Sequence, residues 1–138
     1  MRKFVFTALA ICILIALAMA LASDATAAPG FLGRWWSVDV DGSSQKLQIG
    51  LADNGYLLKL FDDGASICGL DPDGNPLYAA IGKGKGTADG NVLHASFKFW
   101  CLTDPRTFWG TATGDYTYDP ATDTLQDGWV AWYRIVGK

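Results

Sequence analysis

Hydrophobic and polar positions in this chain fall into two regimes. Residues 4–22 form an uncharged, almost wholly apolar run behind Arg2 and Lys3, whereas beyond residue 31 apolar residues alternate with polar ones or gather in short runs. The second regime is broken by turn-forming pairs: Asp41-Gly42, Asn54-Gly55, Asp63-Gly64, Asp73-Gly74 and Asp89-Gly90, then Asp104-Pro105, Asp119-Pro120 and Asp127-Gly128. Asn-Gly and Asp-Gly tolerate the positive φ of tight hairpins, and Asp-Pro starts a turn by fixing the next φ. The segments between them are rich in Trp, Tyr, Phe, Val, Ile, Leu and Thr. They predict strands over 32–40, 45–51, 56–61, 65–69, 77–87, 92–101, 107–118 and 124–136. Asp127-Gly128 falls inside the last segment and is read as a bulge or break there, not as a full reversal.

Eight sequential antiparallel strands must close into a barrel or fold as a two-sheet sandwich, since an open sheet leaves two bare edges. Side-chain alternation favours closure. One face of the fifth predicted strand reads Tyr78, Ala80, Gly82, Gly84, Gly86, and one face of the seventh reads Phe108, Gly110, Ala112, Gly114, Tyr116. The sixth, between them, sets Leu93, Ala95, Phe97, Phe99 and Cys101 against His94, Ser96 and Lys98. With the small and apolar faces inward, the outer surface is polar. The inward glycines let the sheet bend and leave space for bulky groups from other strands or for a ligand. The predicted fold is therefore all-β: an eight-stranded antiparallel up-and-down β-barrel over 28–138, preceded by an N-terminal signal helix within 1–27.

The leader changes how the composition is read. Its positive start, apolar stretch and small residues Ala25 and Ala27 match a signal-peptidase site, so the expectation is cleavage after Ala27 and a secreted or otherwise extracytoplasmic protein. An uncleaved N-terminal membrane anchor is the alternative, because the run approaches the ~20 residues that span a bilayer. No later segment is apolar enough to span. Without 1–27 the net charge moves from −3 to −4, which argues against a nucleic-acid partner. Glu is absent and all six Trp and five Tyr lie beyond the leader, a composition that favours strands over long helices. Cys12 belongs to the leader. Cys68 and Cys101 remain, an even pair in an exported chain, and a disulfide between them is expected.

Gly33-Arg34-Trp35 in the first strand gives G-x-W, and the last strand ends Trp132-Tyr133-Arg134. This resembles the calycin superfamily of small β-barrels, which includes lipocalins and avidins. The resemblance implies that Trp35 plugs the closed base and that Arg134, mainly structural, lies across its indole in a cation–π contact. An inward Trp35 carries Ser37 and Asp39 inward and turns Trp36, Val38 and Val40 outward. Hydrophobicity alone would bury Trp36, Val38 and Val40 instead, and the sequence leaves both arrangements open.

Few residues suggest catalysis or metal chemistry. His94, the one histidine, alternates with Ser96 and Lys98 on the predicted outer face, a poor place for a Ser-His-Asp set. Nearly every Asp sits beside a turn glycine or proline, so paired glycosidase carboxylates are not expected. Asp39-Val40-Asp41-Gly42-Ser43 and Asp71-Pro72-Asp73-Gly74-Asn75 resemble fragments of calcium loops without the closing Glu. Gly82-Lys83-Gly84-Lys85-Gly86 lacks the spacing of a phosphate loop. No metal, cofactor or enzymatic activity is therefore expected.

The tryptophans carry the functional expectation, since six exceed what a small core needs, and Trp109, alternating with threonines, reads as an exposed one. The leading expectation is a small-molecule-binding protein with an apolar or aromatic ligand in the barrel's open end, lined or floored by Trp35, Ser37, Asp39 and Trp132. The alternatives are a carbohydrate-binding module using surface aromatics and an extracytoplasmic interaction or structural domain. The oligomeric state stays open.

Overall fold

The computed structural model describes residues 29–137. A 3-10 turn, Pro29–Phe31, leads into β1 (Gly33–Val38), β2 (Ser44–Ala52), β3 (Gly55–Asp62), β4 (Ala80–Asp89), β5 (Val92–Cys101), β6 (Thr107–Asp119), β7 (Thr124–Gln126) and β8 (Ala131–Arg134). Each strand pairs antiparallel with the next, and β8 returns to β1 through Trp35 opposite Arg134 and Trp36 opposite Tyr133, closing an eight-stranded barrel. The signal helix expected within 1–27 lies outside the described residues.

Two differences from the predicted strands cancel in the count. The segment 65–69 is a 3-10 turn, Ser66–Cys68, within a long connection from β3 to β4. Its conformation follows from its tethers. Ala65 N donates to Tyr78 O, Leu77 N donates to Gly69 O, and Cys68 is bonded to Cys101 at the end of β5, so the segment is fastened across the connection instead of along a strand. Conversely, 124–136 is two strands, because Asp127-Gly128 makes a full reversal. The Asp127 carboxylate accepts hydrogen bonds from the backbone N–H of Trp129 and Val130, each at 2.9 Å, and Gly128 takes φ 90°. The bulge in the sheet lies elsewhere, where Phe99 and Trp100 of β5 meet Phe108 and Gly110 of β6 and leave Trp109 without an opposite residue.

Alternation in β1 resolves in favour of an inward Trp35. Trp35 and Ser37 are buried, Trp36 and Val38 are exposed, and Asp39 is half-buried just past the strand end. The buried core comprises Phe31, Trp35, Leu47, Ile49, Tyr56, Leu58, Leu60, Leu93, Ala95, Phe97, Tyr116, Leu125 and Trp132. An inward polar row (Ser37, Gln45, Asp62) continues into Ala80 and Cys101 across β1 to β5 and marks the opposite end from Phe31, the mouth.

The disulfide pins the 63–79 connection at that mouth. Its closed loop of 34 residues contributes roughly 4 kcal/mol by restricting the unfolded chain, a large share of a small domain's stability. Replacing both cysteines, Cys68→Ser with Cys101→Ser, is expected to lower the unfolding free energy by about that amount. Urea unfolding of the oxidised protein against this variant measures the difference, and the variant should keep the barrel's far-UV dichroism.

Candidate functional site

The closed end is fixed by Arg134. Its guanidinium lies 4.1 Å from the centroid of the Trp35 ring, while Nη1 donates to Leu32 O at 2.5 Å and Nη2 to Gly30 O at 2.8 Å. Nε and Nη2 also bind the two oxygens of Asp123, both at 2.7 Å. Asp123 stands at φ 51°, a left-handed conformation that Asp tolerates better than most residues, and its carboxylate also accepts from Tyr118 Oη at 3.1 Å. The Trp35 indole N–H donates to Phe31 O at 3.0 Å, and Tyr118 packs edge-on against its ring. These contacts, each worth about 1 kcal/mol or more, single out Trp35 over Trp36 for the interior. Trp35 is thus held within a filled base.

The other predicted site residues collect toward the mouth. Ser37 Oγ donates to Ala131 O at 2.7 Å, and Trp132 Nε1 donates to Asp127 Oδ2 at 2.9 Å, with its ring edge-to-face against Tyr116. Burial raises the Asp39 carboxyl above its ordinary range against the pull of the Val40 N–H, and Asp41, Asp62 and Asp127 add repulsion. Burial, then Asp127, pushes the Tyr116 phenol upward as well. The mouth is therefore negative and half-desolvated. Among the described residues no group of three or more His, Cys, Asp or Glu is placed to hold a metal ion.

The inner wall is unevenly filled, a feature that the strand patterns do not reveal. On β4 the rings of Phe99 and Phe97 lie directly on Gly82 and Gly84, so that a Cβ at either glycine would sit 2.8 Å from a ring carbon. On β6 no atom lies within 4 Å of where a Cβ would stand at Gly110 or Gly114. Gly110, Ala112 and Gly114 face inward by register, opposite Phe99, Phe97 and Ala95, yet Ala112 and Gly114 are exposed and Gly110 only half-buried.

The cause is a gap in the wall. β6 has 13 residues, but β7 has three and pairs only with positions 117–119. Because β7 and β8 run out there, residues 107–116 of β6 have no strand beside them on that side. Trp109 sits at the edge of this gap, edge-to-face with inward Phe99 at 6.3 Å. The bulge takes it out of strict alternation and leaves it about half exposed. Gly110, Ala112 and Gly114 were legible as a small-residue face. Their exposure was not, because it depends on which way the β5 phenylalanines lean and on where β7 stops.

The outer face has a separate character. Lys59, Lys83 and Lys98 stand opposite one another on β3, β4 and β5. Among the described residues the basic–acidic side-chain contacts are Arg134–Asp123 and His94–Asp115, so these lysines face no carboxylate partner. A hollow of about 560 Å³ lies beside them, between Arg34, Lys46, Lys59 and Lys83, with Phe61 and Ile81 among its lining. No helix among the described residues is long and apolar enough to cross a membrane. Trp36 and Tyr133 also face outward, tilted by 41° with centroids 6.2 Å apart, and Trp100 meets Phe108 at 60°. These rings share no common plane. His94 is exposed on the same side, its Nδ1 2.8 Å from Asp115 Oδ1.

The Cys68–Cys101 disulfide fits an oxidising, extracytoplasmic environment. Compared with known protein families, curated proteins and solved structures, the chain matches none.

The base supplies a pH test. Hydrogen bonding from Arg134 holds the Asp123 carboxyl below its ordinary value, so its stabilising contribution is complete above the unfolded value near 4 and disappears as pH falls through the lower folded one. Asp123→Asn should lower the melting temperature at pH 7. It should also flatten the loss of stability between about pH 4 and pH 2 relative to the wild type, as read by thermal melts across that range. Asp39, whose carboxyl is raised, works in the opposite direction and is common to both proteins.

Proposed function

We propose that this is an exported, non-enzymatic binding protein of calycin type that holds an apolar or aromatic ligand in the open half of its barrel, reached through the gap beside β6. The carrying observation is the bare inward face of Gly110, Ala112 and Gly114. An inward surface that the chain's own side chains leave uncovered offers room and apolar contact without requiring the packed base to move. Phe99 and Trp109 border that surface with aromatic rings. The carboxylates of Asp39, Asp62 and Asp127 disfavour an anion, so the ligand is neutral or cationic. In this arrangement Trp35 and Arg134 are structural. Ser37 and Trp132 back the pocket from behind while their polar atoms are spent on Ala131 and Asp127.

Carbohydrate stacking on the outer aromatics is the weaker reading, because a sugar face needs rings in or near one plane and Trp36, Tyr133, Trp100 and Phe108 are mutually tilted. The leader of residues 1–27 and the disulfide support export.

Native mass spectrometry of the protein from its own exported fraction should find a chain starting near Ala28, oxidised, and carrying a reproducible small molecule. Ala112→Trp fills the open space from an exposed position and should cost less than about 1 kcal/mol of stability while reducing ligand occupancy at least tenfold. Full occupancy in that variant would place the ligand elsewhere.

A further inference from the structure

The gap beside β6 also leaves a strand edge bare. Residues 107–116 pair with β5 on one side and with no strand on the other. No backbone hydrogen bond outside the β5 ladder reaches them among the described residues. In an antiparallel ladder every second residue turns its N–H and C=O away from its partner, so this edge presents a row of donors and acceptors about ten residues long. Free edges are ordinarily guarded by lysine, proline, inward charge or shortness. Here the run Thr107-Phe108-Trp109-Gly110-Thr111-Ala112-Thr113-Gly114 carries no charge and no proline, and its one irregularity, the bulge, lies at the mouth end.

We infer that this edge pairs antiparallel with the same edge of a second copy across a two-fold axis near Thr111 and Ala112. The inference goes beyond the ligand reading and does not require it. Three features select a second copy. The run 107–114 carries no charge, and with the axis at Ala112 the one charged residue of the edge, Asp115, falls opposite Trp109 of the second copy, so the edge meets its own image without like-charge pairs although the chain as a whole is acidic. An antiparallel self-pairing is isologous and closes as a dimer instead of extending as a fibre. The inward residues at the centre, Gly110 and Ala112, are small, so a second β6 approaches without steric conflict on the inner side. Outside, Thr111 and Thr113 supply the β-branched, hydroxyl-bearing cross-strand pairs that stabilise such a seam. Phe108 and Trp109, each about half exposed on this strand, provide apolar surface along it. The second copy would then wall off part of the gap, and each pocket would border the other.

Sedimentation equilibrium of the full exported protein tests this. The expected result is a mass of two chains at micromolar concentration. Thr111→Lys with Thr113→Lys, both at exposed outward positions, should raise the dissociation constant at least tenfold without lowering the melting temperature appreciably. Mixing that variant with Thr111→Asp, Thr113→Asp should restore a dimer of one copy of each. Amide hydrogen exchange supplies the local readout: protection across 107–116 in the wild type, lost in the lysine variant. A monomer at 100 μM overturns the inference. So does a dimer whose dissociation constant ignores the lysines, or an edge protected in a monomer, since either places the contact or the cover elsewhere.

Discussion

The barrel closes because a four-residue last strand is held to the first by one side chain more than by its own ladder. Two residue pairs, with one further backbone bond from Ile135 N to Arg34 O, are a thin seam for a wall that must resist opening. Arg134 compensates by spending its guanidinium on four partners at once: the Trp35 ring, the carbonyls of Leu32 and Gly30, and the Asp123 carboxylate. A lysine would keep the charge but could not supply the planar set of donors. Because the contact joins the entry turn, β1, β8 and the β6–β7 turn, losing it would free the base from several directions together.

That concentration of contacts at one end explains the contrast with the other. With closure secured at the base, β7 and β8 can be short, and their shortness opens the wall beside β6. The mouth is held by the disulfide and by polar contacts such as Asp62 with Gln45 and the Gly64 N–H. Packing and openness therefore have one geometric origin. The glycines of β4 are covered because the rings of β5 lean on them, and those of β6 are bare because no neighbour reaches them.

The turn dipeptides and strand alternation made the architecture legible, since each Asp-Gly or Asn-Gly speaks through its own backbone. Two local readings failed for reasons beyond local sequence. The 65–69 segment looks like a strand until Cys68 is tied to Cys101, and Asp127-Gly128 looks like an interruption until the Asp127 carboxylate is seen collecting two N–H groups. The choice between Trp35 and Trp36 was undecidable from hydrophobicity and was settled by Arg134, 99 positions beyond Trp35. For the candidate site, Trp35, Ser37, Asp39 and Trp132 were expected to line or floor one pocket, and the structure sets Ser37, Asp39 and Trp132 toward the mouth but Trp35 in the packed base. Asp127 was not among them, because its role depends on a reversal that brings it back over Trp132.

The row formed by Lys59, Lys83 and Lys98 has a meaning for motion in solution. With cations gathered on one flank and Asp39, Asp62 and Asp127 at the rim, the molecule carries a permanent charge asymmetry despite its modest net charge. A cationic solute is turned away from the flank and drawn toward the opening before any contact forms. The field thus sorts approaching molecules by sign and direction, and it does so most strongly in dilute salt, where screening reaches only beyond the barrel's own dimensions.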